Sequence, residues 1–259
     1  MDLIELSTSV GPAEAYVARP PGDDADRQQH PGVLLFMDAI GLRPRIADMA
    51  DRIASWGYVV LAPNVFHREG TVAELAPRGD LRDPEQRAAF MGEAMRRVRA
   101  LTSEAAVPDI ADYLVALRRL PGVPERPVGV TGYCMGARLA MRAAALDDGV
   151  AAVGCFHGGG LATDAPDSPH LGLDQTRARF VFAHADNDRS MPPEAIAVLG
   201  RAIDHAGLEA VNEVYDGAAH GYTMADTSSY DEAATERHFA ALEQLFAQTL
   251  QQTLQDPGA

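Results

Sequence analysis

Val128 to Ala140 reads VGVTGYCMGARLA. The stretch opens on a short apolar β-type run, Val128 to Thr131. Gly132-Tyr133-Cys134-Met135-Gly136 follows, and then a helix-compatible run from Ala137 to Leu146. The order is strand, tight turn, helix, with a cysteine at the apex of a G-x-C-x-G pattern. The apex residue of such a turn sits on strained backbone, and a side chain two positions away on either side would collide with the adjoining strand and helix, so glycine is needed there. The thiol is then held out at the carboxyl edge of a sheet. The first turn of the next helix presents its free N–H groups and the positive end of its dipole to the sulfur. A lone cysteine is more often a small buried hydrophobe, and that is the competing reading of Cys134.

Working outward, the chain alternates strands and helices. Downstream, Val150 to Phe156, Arg179 to Ala185 and Ala210 to Tyr215 read as strands. Pro192 to Ala206 reads as a helix with Gly207 as its cap, and Ser229 to about Leu250 as the last helix. Gln251 to Ala259 reads as a frayed tail. His157-Gly158-Gly159-Gly160 is a plain turn, because the Lys-Ser/Thr of a phosphate loop is missing. Upstream, Gly32 to Met37 and Tyr58 to Ala62 are continuous apolar runs, the mark of strands buried on both faces. Pro44 to Trp56 lies between them as an amphipathic helix. Leu3 to Ser7 and Ala13 to Arg19 read as paired strands, and residues 20–31 as a polar loop. His67 to Asp83 reads as loop. Pro84 to Thr102 and Ser103 to Leu120 read as helices, with Pro108 marking the first turn of the second. The arginines at 96, 97 and 99 read as a solvated face. This alternation predicts a mostly parallel, doubly wound α/β sheet in a single domain over residues 1–259, the first 31 residues contributing N-terminal strands and a loop.

Composition narrows the function. Of 259 residues, 37 are acidic and 22 basic, a net charge of −15 that disfavours nucleic acid and anionic membranes. No apolar run approaches the ~18 residues of a membrane span. The N-terminus lacks a basic region followed by an apolar core, so no signal peptide is expected. The 2 cysteines form neither a disulfide framework nor a C-x-x-C motif. Reduced cytoplasm is the compartment expected for a reactive thiol.

Ligands of doubly wound sheets sit at the carboxyl ends of strands. Here those ends carry Asp38, Cys134, His157, Asp186, Asp188 and His220. A free thiol is only a few per cent ionised at neutral pH and needs a base. A histidine can take the proton, and a carboxylate can fix that histidine's tautomer. Cys134, Asp188 and His220 occur in the chain order nucleophile, acid, base. Asp186 is the alternative acid. His157, His170, His184 and Asp186 lack metal-ligand spacing of the H-E-x-x-H kind, so no metal is expected.

The turn matches the G-x-S-x-G nucleophile turn of α/β-hydrolases, with sulfur in place of oxygen. More specifically, the chain resembles the dienelactone hydrolases. Gly132-Tyr133-Cys134-Met135-Gly136 is similar to their G-Y-C-x-G signature. Asp188 to Pro192 resembles their acid segment, and Tyr215 to Tyr222 (YDGAAHGY) their histidine segment. Gly57 to Phe66 (GYVVLAPNVF) is similar to a further family stretch. The similarity runs from about Pro31 to Phe246. It implies an α/β-hydrolase fold without a large cap domain, acting without a cofactor on a small ester or lactone, as a monomer or homodimer. It also implies Cys134 as nucleophile, Asp188 as orienting acid and His220 as base. Backbone N–H groups of Met135 and Ala39 would form the oxyanion hole. The family's thiol-gating glutamate has its match in Asp38, one methylene shorter. Of the family's two substrate arginines, one is matched by Arg87. The other position holds Met224, and Met224 and the nearby Tyr222 are candidate substrate-binding residues beside Arg87. That substitution predicts a neutral or weakly anionic substrate. A thiol redox or transfer protein, with Cys155 as partner, and a non-catalytic binding domain on the same fold are the competing functions.

Overall fold

The structure is a computed structural model that describes residues 2–23, 29–125 and 127–251. Eight strands form one sheet: β1 (Asp2–Thr8), β2 (Gly11–Ala18), β3 (Gly32–Phe36), β4 (Val59–Pro63), β5 (Val128–Tyr133), β6 (Val150–Phe156), β7 (Arg179–Ala185) and β8 (Ala210–Tyr215). Their order is β1-β2-β4-β3-β5-β6-β7-β8. The β1/β2 and β2/β4 pairs are antiparallel, and every pair from β4 to β8 is parallel. The β1/β2 hairpin needs only the short turn at Ser9-Val10, whereas parallel neighbours need a crossover connection.

The helices are α1 (Pro44–Ala54), α2 (Val72–Leu75), α3 (Pro84–Ala100), α4 (Ser103–Arg118), α5 (Met135–Leu146), α6 (Pro193–Ala206) and α7 (Glu232–Phe246). α1 and α7 cover one face. Arg52 of α1 pairs with Glu236 of α7, and Trp56 meets Phe239 edge to face. α4, α5 and α6 cover the other face. Strands β3, β4 and β5 are buried at every residue, which is why their sequences show no polar alternation. Each fully buried aliphatic or aromatic side chain there contributes about 1.5–3 kcal/mol. Two strand glycines admit the α7 layer. A Cβ on Gly129 would lie 2.9 Å from both Phe246 and Leu250, and one on Gly154 would lie 2.7 Å from Leu242.

Strand order reverses between β3 and β5. β3 connects leftward through α1 to β4, and β5 connects rightward through α5 to β6. The carboxyl ends of β3 and β5 therefore splay their following segments to opposite faces, and a crevice opens between them.

Several local features depart from the sequence reading. The stretch expected as loop over His67 to Asp83 contains α2, set by a capping box in which Thr71 and Glu74 satisfy each other's backbone N–H. α4 starts one residue after its cap, Thr102, so Pro108 lies inside the helix rather than in its first turn. The last helix starts at Glu232, capped by Asp231, because residues 222–231 are held in turns by Tyr222 and Met224 carbonyls. It ends in a π-helical turn, Ala247–Gln251. Gln251 is packed rather than frayed and donates to the Trp56 carbonyl at 3.2 Å. The rest of the expected tail lies outside the described residues. Arg97 is no solvated residue: it is 3% exposed and bonds the Leu75 carbonyl and Glu93. Arg96 and Arg99 are exposed.

Candidate active site

The turn after β5 bends as its glycines require. Cys134 has φ 55° and ψ −117°, a conformation costly for any residue with a Cβ. A Cβ on Gly132 would lie 2.1 Å from the Gly136 carbonyl oxygen, and one on Gly136 would lie 2.5 Å from the carbonyl oxygens of Phe36 and Met37. Both contacts are with backbone, which cannot give way. The Cys134 N–H donates to the Phe156 carbonyl at 3.1 Å, which pins the apex to β6. Cys134 itself is partly exposed, and Cys155, the other cysteine, is buried.

His220 follows β8 and Asp188 follows β7. His220 Nε2 lies 3.1 Å from Cys134 Sγ, and its Nδ1 lies 2.5 Å from Asp188 Oδ2. The other oxygen of Asp188 accepts from the Ser190 N–H at 2.8 Å and the Ser190 hydroxyl at 2.7 Å. Asp186 is turned elsewhere and accepts from the Gly217 N–H at 3.0 Å. Burial alone would pull His220 down, but the hydrogen bonds to Asp188 and Cys134 outweigh it and push the imidazole up to about 10. Burial would raise Asp188, yet the bonds from His220 and Ser190 hold it down to about 2. Both shifts favour the carboxylate form of Asp188 and the imidazolium form of His220. Below them His157 is fully buried. Its Nε2 meets the Thr223 hydroxyl at 2.8 Å and its ring sits 5.4 Å from that of His220. Desolvation keeps His157 neutral by lowering it well below the ordinary histidine range, and the neighbouring His220 adds to this.

Cys134, His220 and Asp188 lie on the wall of a cavity of about 850 Å³, together with Ala39, Met135, Asp38, Arg87 and Met224. Met135 is the first residue of α5, so its N–H has no acceptor within the helix. Asp38 reaches the cavity wall, but both its oxygens are engaged by Arg43, at 2.7 Å and 3.1 Å, and one also accepts the Ile40 N–H. It thus caps its own turn while serving as an ion-pair partner. Arg43 is 3% exposed and also binds Asp226 and, at 3.2 Å, the sulfur of Met224. No spacing rule singled out Arg43 in the sequence: it reads as one more polar residue before Pro44. Arg87 donates to the Ser229 hydroxyl at 3.0 Å. Tyr222 is not a cavity residue. It is fully buried, and its hydroxyl donates to the Ala183 carbonyl under the sheet edge. Cys155 donates its thiol to the Ala137 carbonyl, and burial pushes it far above the ordinary thiol range.

The sequence profile of the dienelactone hydrolase family matches residues 13–250. Carboxymethylenebutenolidase 1 of Cupriavidus pinatubonensis is 26% identical over 236 residues, covering 90% of this chain and 91% of that one. The dienelactone hydrolase of Anabaena variabilis superposes with a TM-score of 0.66 at 17% identity, over 96% of this chain and 97% of that one. A metagenomic dienelactone hydrolase-like promiscuous phosphotriesterase, P91, superposes with a TM-score of 0.69 at 19% identity, over 95% and 97%. The fold, the nucleophile-type turn and the profile agree: the chain belongs to the dienelactone hydrolase family, ester hydrolases built on the α/β-hydrolase fold.

Proposed function

We propose that this protein hydrolyses a carboxylic ester or lactone through a thioester on Cys134. The observation that carries the reading is the continuous chain of contacts Cys134–His220–Asp188, each residue at the end of a different parallel strand and all three on one cavity wall. In the first half-reaction the sulfur attacks the ester carbonyl carbon while the carbonyl π-electrons move onto oxygen. The N–H groups of Met135 and Ala39 receive that oxyanion. On collapse the C–O bond breaks, the imidazolium of His220 protonates the departing alkoxide, and an acyl thioester remains. In the second half His220 takes a proton from water, hydroxide adds to the thioester carbon, and the acid leaves with the sulfur restored. Asp188 holds the ring in the tautomer that both halves need.

The buried Cys155, bonded to a main-chain carbonyl, is badly placed as a resolving thiol, which weighs against a redox reading. The test is hydrolysis of p-nitrophenyl butyrate with mass spectrometry of the trapped protein. A butyryl adduct on Cys134 is expected, and Cys134→Ala should lose both adduct and turnover. Full turnover in that variant would remove the proposal.

A further inference from the structure

The cavity is larger and more cationic than a small neutral ester requires. A volume of about 850 Å³ is in the range that encloses a drug-sized ligand. Three carboxylates on its wall each have a cation: Asp38 has Arg43, Asp188 has His220, and Asp167 has Arg142 at 3.7 Å. Arg87, Arg99, Arg138 and Arg189 also line it, and among the described residues none of them has a carboxylate within ion-pair distance. The molecule carries a net charge of −15, so this local excess of positive charge runs against its composition. Met224 in place of a family arginine is therefore only one contribution to the charge of the cavity.

Arg138 is the best-placed of these groups. It lies on α5 four residues after Cys134, about 6 Å further along the axis, with Arg142 about 12 Å along. Its stem runs past Gly160, where a Cβ would meet the arginine Cδ at 3.9 Å. Arg99 and Arg189 are exposed and the half-buried Arg87 is engaged by the Ser229 hydroxyl, whereas Arg138 is half-buried on α5. Arg138 and Arg142 form a like-charge pair at i and i+4, and the carboxylate near them, that of Asp167, is drawn down by the Ser103 hydroxyl and by both guanidiniums. Burial and the Arg138 charge both lower Arg142, with Asp167 opposing them. Ser103, whose hydroxyl donates to Asp167, lines the same cavity, and Met91, Met95 and Leu101 give it apolar wall. A second cavity of about 40 Å³ lies behind this end and shares Leu101, Ser103, Met135, Arg138 and Arg142 with the first.

We infer that the substrate is an elongated ester whose acyl chain ends in a carboxylate, with the ester carbonyl at Cys134 and the carboxylate at Arg138. The inference rests on the ester-hydrolase reading. The acyl side is chosen because the leaving alcohol must depart beside His220, while the acyl group stays bonded to the sulfur at the head of α5. A single negative charge is chosen because one carboxylate, that of Asp167, stands against two guanidiniums on that helix, an excess of one positive charge.

The test compares p-nitrophenyl hemiesters of succinic, adipic and suberic acids with the same compounds capped as ω-methyl esters. The wild type should prefer the free acid over the capped ester by about 10-fold or more in kcat/KM for the longer acids, the scale of one charge-assisted contact. The ratio should fall to within about twofold in Arg138→Gln and be largely kept in Arg138→Lys. Because each ratio is internal to one variant, a partly destabilised protein still gives a reading. Adipate should also slow iodoacetamide labelling of Cys134 in the wild type and not in Arg138→Gln. Equal use of acid and capped ester by a wild type that cleaves the butyrate ester, or a preference untouched in Arg138→Gln, would overturn the inference and leave the hydrolase reading standing. Absence of turnover on every ester, butyrate included, would overturn both.

Discussion

At Cys134 one residue answers two demands that conflict. The sulfur must stand clear of the sheet edge, and the backbone that places it there has φ 55°. A glycine would hold the turn with less strain, by about 1–3 kcal/mol, offset by about 0.5–1 kcal/mol of extra chain entropy. Cys134→Gly should therefore unfold at higher denaturant than Cys134→Ala by about 1 kcal/mol, measured by urea titration, with both inactive. Equal stabilities would mean that the strain is absent. Gly132 poses the opposite case, since a Cβ there would lie 2.1 Å from a backbone oxygen. Gly132→Ala should cost roughly 3 kcal/mol, or shift the elbow outright, as overpacking against backbone does. The histidine carries a separate signature. Asp188 is a principal reason that His220 is held up to about 10. Asp188→Asn removes the negative charge, so the imidazole should titrate at lower pH, towards the ordinary value near 6.5. NMR of the His220 ring protons reads this directly, and an unmoved titration would show that the sulfur alone holds the proton. The cysteine turn was legible because it is a local motif, and Asp188 and His220 because each follows a strand in a short recognisable segment. The preference for Asp188 over Asp186 came only from the family resemblance of Asp188 to Pro192, because two carboxylates two residues apart differ locally only in which way a positive-φ turn at Asn187 points them.

Among the elements, the β3–α1 connection carries what sequence reading missed. Apolar runs and helix stops located the six parallel strands, and weak alternation the two antiparallel ones, since strand burial and glycine caps write themselves into local composition. Arg43 was invisible because its partners, Asp38, Met224 and Asp226, lie 5, 181 and 183 residues away. Such a cluster is a property of the fold. It ties the loop after β3, which includes Ala39, to the loop after β8, and so holds the two sides of the crevice together. The same geometry leaves Asp38 no free oxygen with which to reach for the thiol, so gating by this carboxylate would first have to break a bidentate ion pair. Arg43→Met should strand the two carboxylates and cost about 3–5 kcal/mol at neutral pH. Part of that loss should return as pH falls and the carboxyls accept protons. A thermal-shift series from pH 7 to pH 4.5 would show the gap to wild type narrowing. A gap that stays constant would mean that packing, not charge, is what Arg43 supplies.

On the scale of the whole molecule, the site and the stability of the fold are linked through protons. His220 sits on the loop after β8 and Asp188 on the loop after β7, so their ion pair joins two connections far apart in sequence. A group with a raised folded-state pKa stabilises the native protein while it stays protonated. For His220 that contribution is fully present below about 6.5, the unfolded value, and is lost as pH rises through about 10. Asp188 has a lowered value, so its contribution is present above about 3.9, the unfolded value, and is lost as pH falls through about 2. The two windows overlap between about pH 4 and 6.5. The Tm difference between wild type and His220→Gln should therefore be largest there. It should shrink steadily between pH 7 and pH 10, because the unfolded chain has already released its proton while the native state still holds one. The remaining carboxylates, part of the surplus behind the net charge of −15, are common to both proteins and cancel in the difference. The expected sign is thus free of the general acid instability that an acidic protein shows. A Tm difference that grows towards pH 10 would mean that the imidazole is neutral in the resting site. The sulfur and histidine would then meet as an uncharged pair, and the thioester reading would need a base that acts only once substrate is bound.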